Sequence, residues 1–394
     1  MSCAWLFSAC APAGESATTV TVRDSAGIRI VESVRPGWLD GEGWQVGSEP
    51  LVSIGVAEGD STQQLFSVRD AVRLADGTIV IVDQGTNHVR WYDASGSYVR
   101  GAGRSGAGPG EFSELGPGSI CVLSDERLLV SDPIQARANV FASDGSFVQI
   151  IQAPPVGAAF PSIQGCFGDG ALQLWHAEQG PDRIPDTIIS AEFVWTRFGV
   201  NGAAPNELAR TPVRTQYLLS DGAGGGSYHT IPFMVRPASA VGGERFYLTT
   251  GANPEITVRR ADATKEAVWR WAAERIRSSD VLARYETHMI DAQTRPDRRA
   301  QTASFFRVGL DVPEYIASTV RLLAAEDGHV WAERYRLPWD TVPTWDVYAP
   351  EGAWLGGVNM PARFSVYRIY DDGILGRRTD EDGVERLVLY ALHR

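Results

Sequence analysis

The sequence predicts an all-β protein, a six-bladed β-propeller that is closed by an N-terminal strand and carries a short helical insertion between blades four and five. Three observations support this fold class: a repeat of about 48 residues, four short strand-like segments in each clear repeat, and abundant turn residues. The chain of 394 residues contains 41 Gly and 22 Pro, a composition that favours many turns over long helices. We therefore expect residues 20–394 to form the propeller and residues 1–19 to precede it.

The repeat is clearest between the first two units. Segments 76–83 and 125–132 lie 49 residues apart, and six pairs of identical or similar residues keep that single offset. A glycine-rich element at 103–112 aligns without gaps with 199–208 at an offset of 96, which is two periods of 48. Self-similarity at this period is typical of propeller blades built from four strands.

The first unit divides into four short strands, at 70–74, 78–82, 88–92 and 97–100. Asp-Gly and Ser-Gly pairs between these strands supply the positive φ that tight turns require. The later units are more diverged, with strands predicted at 168–175, 191–198, 243–249, 256–259, 266–271, 326–332, 345–348, 353–355, 364–370, 371–375 and 385–390. The sixth unit is one strand short, so we expect 51–54 to pair with 385–390 and remove an exposed sheet edge.

One region, from 278 to about 310, departs from the pattern of short strands. Its apolar residues recur three and four positions apart, as on one face of a helix, at Val281, Leu282, Tyr285 and Met289. Ser278 and Ser279 are candidate N-caps, and Pro313 follows the segment. We expect one or two inserted helices, which either pack on the propeller or lie over one mouth of its channel.

The first residues indicate export. The segment Leu6-Phe-Ser-Ala-Cys10 resembles a bacterial lipobox, in which the cysteine receives a lipid. The small and polar residues that follow suit a flexible tether. We therefore expect a signal remnant and tether over 1–19, lipid attachment at Cys10, and a periplasmic or outer-surface location. The alternative is an arbitrary, disordered N-terminus.

The chain is acidic, with 48 Asp plus Glu against 36 Lys plus Arg and a net charge of −12. This charge disfavours binding to nucleic acids and to anionic membrane surfaces. We expect contact with a membrane only through the lipid anchor. We also expect a monomer whose partner is a protein or a small-molecule ligand.

Cys121 and Cys166 occupy similar phases of the inner strands predicted for blades two and three. An exported protein can oxidise such a pair to a disulfide. A bridge requires Cα atoms within about 7 Å, and inner strands of neighbouring blades need not come that close. We therefore expect two buried thiols, with the disulfide as the alternative.

The segment 103–112, followed by 117–120, resembles the linker and inner-strand motif of NHL-repeat and related six-bladed β-propellers. Segment 22–32, together with the inserted helices, resembles a group of exported bacterial six-bladed propellers without an assigned activity. The resemblance covers most of the chain from about residue 20 onward, and it implies the fold. It implies no single function, because the Gly-Pro-Gly-Glu-Phe core is specific for the fold and only the first two blades carry the repeat clearly.

We expect a site in the central channel or at one of its mouths, where each blade contributes side chains. Arg69 and Asp70 begin an inner strand and are candidates to face the channel. Arg104 and the glycines around it suggest an anion cradle, although the same glycines also permit a tight return of the chain. Tyr228 and His229 stand before the inner strand of blade four, in a segment that also fits a surface turn. These five residues are the candidate ligand-binding residues.

The sequence shows no recognisable catalytic motif. The six His have neither HxH nor HExxH spacing, and no Gly-x-Ser-x-Gly elbow is present. Propellers of the gluconolactonase type hold Ca²⁺ in the channel, so Ca²⁺ is an option here, but the acids lie mainly in turns and we assign no metal ligand. We favour an exported binding or scaffold propeller that recognises a ligand or a protein at one mouth of the channel. The alternative is a gluconolactonase-like, channel-based hydrolase or lyase that uses a divalent cation.

Overall fold

The computed structural model describes residues 19–394 except 40, 115, 154–161, 180–183, 200–203, 221, 223 and 224. Cys10 and nearly all of the predicted tether lie outside the described residues. Within them the chain is mostly β with two α-helices, and neither helix is long and apolar enough to cross a membrane. The strands, numbered in chain order, form six sheets.

The chain begins with three strands that join sheets formed later: β1 (Val20–Ser25), β2 (Ile28–Ser33) and β3 (Gln45–Ile54). Sheet 1 contains β4 (Val68–Arg73), β5 (Ile79–Asp83), β6 (His88–Tyr92) and β7 (Tyr98–Ala102). Sheet 2 contains β8 (Ile120–Val122), β9 (Leu128–Asp132), β10 (Arg137–Phe141) and β11 (Phe147–Gln152). Sheet 3 contains β12 (Ser162–Cys166), β13 (Leu172–Gln179), β14 (Thr187–Phe198), β15 (Asn206–Ser220) and β16 (Gly226–Thr230).

Sheet 4 is built on β17 (Ala238–Gly242), β18 (Arg245–Thr249), β19 (Glu255–Arg260) and β20 (Lys265–Trp271). The two helices follow it: α1 (Ser278–Asp291) and α2 (Pro296–Phe306). Sheet 5 contains β21 (Thr319–Ala324), β22 (Val330–Arg334), β23 (Thr344–Tyr348) and β24 (Trp354–Asn359). Sheet 6 is built on β25 (Phe364–Ile369), β26 (Gly373–Thr379) and β27 (Glu385–His393).

The turns of sheet 1 use the residues that the sequence indicated. Gly77, between β4 and β5, has φ +89°, and Gly96, between β6 and β7, has φ +87°. The carboxylate of Asp93 accepts the backbone N–H groups of Ser95 and Ser97 and holds the second turn. The four strands of this sheet therefore match those predicted for the first repeat.

The hydrophobic core lies in layers between neighbouring sheets. Every residue of β5 is buried, and its side chains alternate between the two faces of the sheet. Ile79 and Ile81 pack in the cluster shared with sheet 6, whereas Val80 and Val82 pack in the cluster shared with sheet 2. The core thus fills the spaces between neighbouring sheets. The space that the sheets surround is lined by a different set of residues.

The first strand of each sheet contacts the first strand of the next in a closed cycle, β4–β8–β12–β17–β21–β25 and back to β4. We call these six strands the inner strands. All six line one cavity of about 250 Å³, which we call the central channel. The inner strands run in the same direction along this channel. Their first residues therefore lie at one end of it.

The predicted closing pair is present: β3 runs antiparallel to β27, with Val52 opposite Leu389 and Ile54 opposite Leu387. The rest of the N-terminal segment was not predicted to pair. The strand β2 runs parallel to the outer strand β20 of sheet 4. The backbone N–H of Gly37 then donates to the carbonyl of Trp354 in β24, at 3.0 Å. Residues 20–33, the backbone at Gly37 and residues 45–54 therefore cover the outer edges of sheets 4, 5 and 6, respectively, which protects these edges from pairing with other chains.

Both helices lie inside the predicted insertion, between β20 and β21. The predicted serine caps are wrong, because α1 begins at Ser278 itself and its N-cap residue, Arg277, makes no side-chain capping bond. The second helix begins at Pro296, whose missing N–H is not required in the first turn. The insertion packs on sheet 3, where the ring of Phe305 stacks on His229 with centroids 4.5 Å apart.

Cys121 and Cys166 form a disulfide, so the expectation of two buried thiols is wrong. Cys121 lies in β8 and Cys166 ends β12, and their Cα atoms are 6.0 Å apart. The two inner strands approach each other at the channel wall, within the range that a disulfide can bridge.

Candidate functional site

Four of the six inner strands contain a β-bulge near their beginning. In sheet 1, Val68 pairs with Asp83 and Asp70 with Val82, which leaves Arg69 without a partner in the neighbouring strand. The corresponding unpaired residues in sheets 3, 5 and 6 are Gln164, Val320 and Tyr367. A bulge redirects the side chain of its extra residue, and bulges are common next to functional sites.

All four bulged residues line the same cavity, of about 380 Å³, where the inner strands begin. The loop before β17 adds Arg236, and the inner strands add Asp70, Arg321 and Arg368. Sheet 3 contributes an aromatic wall with Trp175 and Phe193. We call this space the arginine cavity; it shares lining residues with the central channel and so opens into it.

The carboxylate of Asp70 is the only one among the residues that line the arginine cavity. Arg368 donates to both of its oxygens, each at 3.0 Å, and the backbone N–H groups of Ala71 and Ile120 donate to them at 2.9 and 3.0 Å. Arg368 also donates to the carbonyl of Ile120, at 2.7 Å. The Asp70–Arg368 pair is therefore internally neutral and joins sheets 6, 1 and 2.

The other three arginines of the cavity have no such partner. Within the part of the chain that the structure describes, the side chains of Arg69, Arg236 and Arg321 make no hydrogen bond and have no carboxylate oxygen within 4.0 Å. The side chains of Arg69 and Arg236 are exposed to solvent, whereas Arg321 is partly buried. Because arginine stays protonated in proteins, the cavity has a positive potential in a chain of net charge −12.

The charge of Arg321 is only partly balanced by its surroundings. Glu333 lies opposite Arg321 in the β21–β22 pairing but outside the cavity lining. Burial lowers the pKa of Arg321, and the nearby Glu333 opposes this effect. Burial also raises the pKa of Glu333, and Arg321 and Arg336 oppose that change. Both groups thus lose solvation without gaining a direct ion pair.

The aromatic wall lies beside these charges. The rings of Trp175 and Phe193 have centroids 4.8 Å apart, and the guanidinium carbon of Arg236 lies 5.9 Å from the centroid of Phe193. Phe193 is buried and Trp175 is partly buried, so the faces that remain accessible are those that line the cavity. The arrangement can bind a molecule in which a flat apolar group is attached to a negatively charged group.

The opposite mouth of the channel is wider, with a volume of about 630 Å³, and the residues that line it include Arg73 and the acids Asp76, Glu126, Glu326 and Asp372. Arg73 forms a salt bridge with Asp372, and its guanidinium lies 4.4 Å from the centroid of the Tyr370 ring. The backbone N–H of Arg73 donates to the hydroxyl of Tyr370 at 2.6 Å, and burial raises the pKa of Tyr370 to about 12. These contacts join sheets 1 and 6.

Of the five sequence-predicted residues, Arg69 and Asp70 line the arginine cavity, and the other three lie elsewhere. Arg104 is exposed in the loop between β7 and β8, and its Nε donates to Glu111 at 2.7 Å. The backbone N–H of Gly108 also donates to Glu111, at 2.7 Å. The carboxylate of Glu111 therefore occupies the predicted anion cradle.

Tyr228 and His229 lie in β16, the outermost strand of sheet 3, and not in a surface turn. Tyr228 is exposed, and the ring of His229 is covered by α2 through its stacking on Phe305. Burial lowers the pKa of His229, and the positive charge of Arg298 lowers it further. His229 serves the docking of the helices, and neither residue lines the arginine cavity.

Sequence reasoning missed Arg236, Arg321, Arg368, Trp175 and Phe193. No local pattern could have identified them, because a bulge is a property of two paired strands and the five residues come from separate parts of the chain. Arginines and aromatic residues in short strands also fit an ordinary surface or core position.

The donor set of the arginine cavity does not fit a cation such as Ca²⁺, which requires several oxygen ligands. The lining offers the carboxylate of Asp70 and the amide of Gln164 beside four guanidinium groups. Among the residues that the structure describes, no three His, Cys, Asp or Glu side chains lie close enough together to hold a metal ion.

No family model matches the chain, and no curated protein matches its sequence. Solved structures do match it. A member of the DUF4221 family from Bacteroides vulgatus is 9% identical over 89% of this chain and 99% of that one, with a TM-score of 0.50. A protein from Bacteroides fragilis whose export is inferred is 12% identical over 89% and 95% of the two chains, with a TM-score of 0.47. A gluconolactonase from Xanthomonas campestris is 14% identical over 90% and 99%, with a TM-score of 0.45.

The chain has a β-propeller-like fold. The six sheets around the channel and the likeness to the Bacteroides vulgatus structure support this statement, and at 9% identity the likeness concerns the fold alone. The narrower assignment to the NHL-repeat type stays a prediction from the sequence.

Proposed function

We propose that this chain is an exported six-bladed β-propeller that binds a small-molecule ligand in the arginine cavity and acts as a binding protein. Six sheets, the closed cycle of inner strands and the pairing of β3 with β27 support a ring of six blades. A concave cavity that mixes apolar walls with a few polar groups suits a small molecule. The flat surface of a protein partner would contact fewer of the groups that line the cavity.

The observation that carries the proposal is the set of four bulges that direct Arg69, Gln164, Val320 and Tyr367 into one cavity. A bulge interrupts the regular hydrogen bonds of a strand pair. The four bulges occur in separate sheets and share no local cause in the sequence. Their common effect is to place side chains around the beginning of the channel, which is what a ligand site requires.

Export is supported by the disulfide between Cys121 and Cys166, because such bonds persist in oxidising compartments. Lipid attachment at Cys10, a periplasmic or outer-surface location and a monomeric state belong to the same proposal. We do not favour the metal-dependent hydrolase or lyase, because the positive lining of the arginine cavity repels a cation.

The substitution Gln164→Trp tests the site. Gln164 is exposed at the cavity wall, so the larger side chain is expected to fill the cavity without disturbing the core. Native mass spectrometry of protein purified without chelator, set against the denatured mass, reports retained ligand. A thermal-shift panel of acidic, neutral and basic small molecules reports added ligand.

The matched control is Gln149→Trp, the same change at an exposed position of β11 outside the cavity. We expect retained mass or thermal stabilisation in the wild type and in the control, and neither in Gln164→Trp. Ligand responses that are equal in both variants, or a bare wild-type mass with no response to any compound, would refute the proposed site.

A further inference from the structure

We infer that the ligand of the arginine cavity carries two or more carboxylate or phosphate groups together with a flat apolar part. This inference rests on the proposed function, since it names the ligand class for the same cavity. Three features lead to it: guanidinium groups without acceptors, a single carboxylate that is already fully bonded, and an aromatic wall beside the charges.

The three unpartnered arginines come from different parts of the ring. Arg69 belongs to sheet 1, Arg236 to the loop before sheet 4, and Arg321 to sheet 5. Because they enter the cavity from separate elements of the fold, a molecule with several anionic groups can contact more of them than one small anion can. The planar fork of arginine matches the oxygens of a carboxylate or phosphate in pairs.

The described residues that line the cavity do not supply those anionic groups. The oxygens of Asp70 accept hydrogen bonds from Arg368, from Ala71 and from Ile120, so this carboxylate has no free capacity for a second arginine. Glu333 influences Arg321 from outside the cavity without forming an ion pair within 4.0 Å. An incoming anion would therefore meet guanidinium groups whose hydrogen bonds are still to be made.

The cavity also has room and an apolar surface for an organic ligand. Its volume of about 380 Å³ is larger than a single inorganic anion needs. The Trp175–Phe193 pair forms one side, and Arg236 lies next to Phe193. A ring that packs on this wall would bring anionic substituents to Arg236 and to the arginines beyond it.

Calorimetric titration of the purified full chain tests the ligand class with four probes. Trimesate carries three carboxylates on an aromatic ring, tricarballylate has the same charges without a ring, hydroquinone bisphosphate has a ring and two phosphates, and benzyl alcohol has a ring without charge. We expect trimesate or hydroquinone bisphosphate to bind most tightly, tricarballylate more weakly and benzyl alcohol least. Added salt should weaken the binding of all charged probes.

Two variants remove one unpartnered guanidinium each, Arg69→Gln and Arg236→Gln. Each is expected to weaken binding of the tighter probe about tenfold, because a charge-assisted pair of hydrogen bonds is lost. The control Arg104→Gln makes the same change of charge outside the cavity and should alter affinity by less than about twofold. A preference for hydroquinone bisphosphate over trimesate would assign the anionic groups as phosphate, and the reverse preference as carboxylate; both agree with the inference.

Tighter binding of benzyl alcohol than of the charged probes, or an equal loss in Arg104→Gln, would overturn the inferred class. If a probe binds in one of these unexpected ways and Gln164→Trp abolishes its binding, the proposed cavity is supported and only the inferred ligand class is wrong. If the wild type binds none of the four probes, the class is also wrong, and the retained-mass comparison decides the proposed function separately.

Discussion

At the scale of single residues, the carboxylate of Asp70 joins three of the six sheets. It belongs to sheet 1, accepts both guanidinium bonds of Arg368 from sheet 6 and accepts the N–H of Ile120 from sheet 2. A buried ion pair whose hydrogen bonds are satisfied is costly to break, because removal of one partner leaves an uncompensated charge. Asp70 thus holds the inner strands in place, and its neighbour Arg69 is left free to meet a ligand.

Glu333 leads to a prediction about pH. Burial raises its pKa above the usual range, against the opposing effect of Arg321 and Arg336. Because the pKa in the folded state exceeds that in the unfolded state, protonated Glu333 favours folding, and this contribution is lost as the pH rises through the folded-state pKa. Ionised Glu333 also offsets the charge of Arg321. We therefore expect an anion to bind the cavity more tightly as the pH falls through this pKa.

Benzenesulfonate is a suitable probe for this prediction, because it stays ionised from neutral to mildly acidic pH. Titrations across that range in the wild type and in Glu333→Gln measure the effect. The variant, which is neutral at every pH, should bind as tightly at neutral pH as the wild type does at the acidic end. A pH profile that the substitution leaves unchanged would show that another group is responsible.

At the scale of strands, the repeat places equivalent acids of sheets 1 and 2 in different surroundings. Asp83 ends β5 and Asp132 ends β9, and both are fully buried. Asp132 accepts the N–H and the hydroxyl of Ser113, at 3.1 and 2.7 Å. Asp83 lies 3.2 Å from Arg90, but within the described residues its oxygens accept no well-aligned hydrogen bond, and burial raises its pKa.

These two acids should respond differently to the same substitution. We expect Asp132→Asn to lower the free energy of unfolding by about 2–3 kcal/mol, because the amide N–H₂ replaces one carboxylate oxygen and cannot accept the hydrogen bond that Ser113 donates to it. We expect Asp83→Asn to change it by less than about 1 kcal/mol, because the neutral amide avoids the cost of burying a poorly solvated charge. Urea unfolding of both variants measures the difference, and equal losses would contradict the assignment.

At the scale of the whole molecule, two kinds of link connect distant parts of the chain. The pairing of β3 with β27 joins the two ends of the ring at its outer side. The disulfide between Cys121 and Cys166 joins sheets 2 and 3 at the channel wall and closes a segment in which the two cysteines are 45 residues apart. A cross-link over such a segment restricts the unfolded chain, which stabilises the folded state.

The double variant Cys121→Ser with Cys166→Ser should therefore lose stability. For a segment of this length the chain-entropy estimate is about 4 kcal/mol, and measured effects commonly fall in the range of about 2–4 kcal/mol. Urea unfolding with and without reductant provides the measurement. The reduced wild type should resemble the double variant, and the double variant should be insensitive to reductant. A wild type that does not respond to reductant, with its thiols shown to be reduced, would contradict the stabilising role.

The features that the sequence predicted well depend on residues close together in the chain. The strands and turns of the first repeat, the position of the helices and the pairing of 51–54 with the last strand are present in the structure. A tight turn requires glycine or aspartate at a particular position, and a helix requires its own spacing of apolar residues. Such requirements are visible without knowledge of the neighbouring sheets.

Spacing along the chain was thus sufficient to establish the repeated β-sheet units and the inserted helices, since each unit must satisfy its own backbone hydrogen bonds and turns. The candidate site depended on the tertiary structure. The bulges exist only where two particular strands pair, and Arg69, Arg236 and Arg321 meet only because separate sheets surround one channel. The disulfide was decided in the same way, by the distance between two inner strands, which no spacing in the sequence specifies.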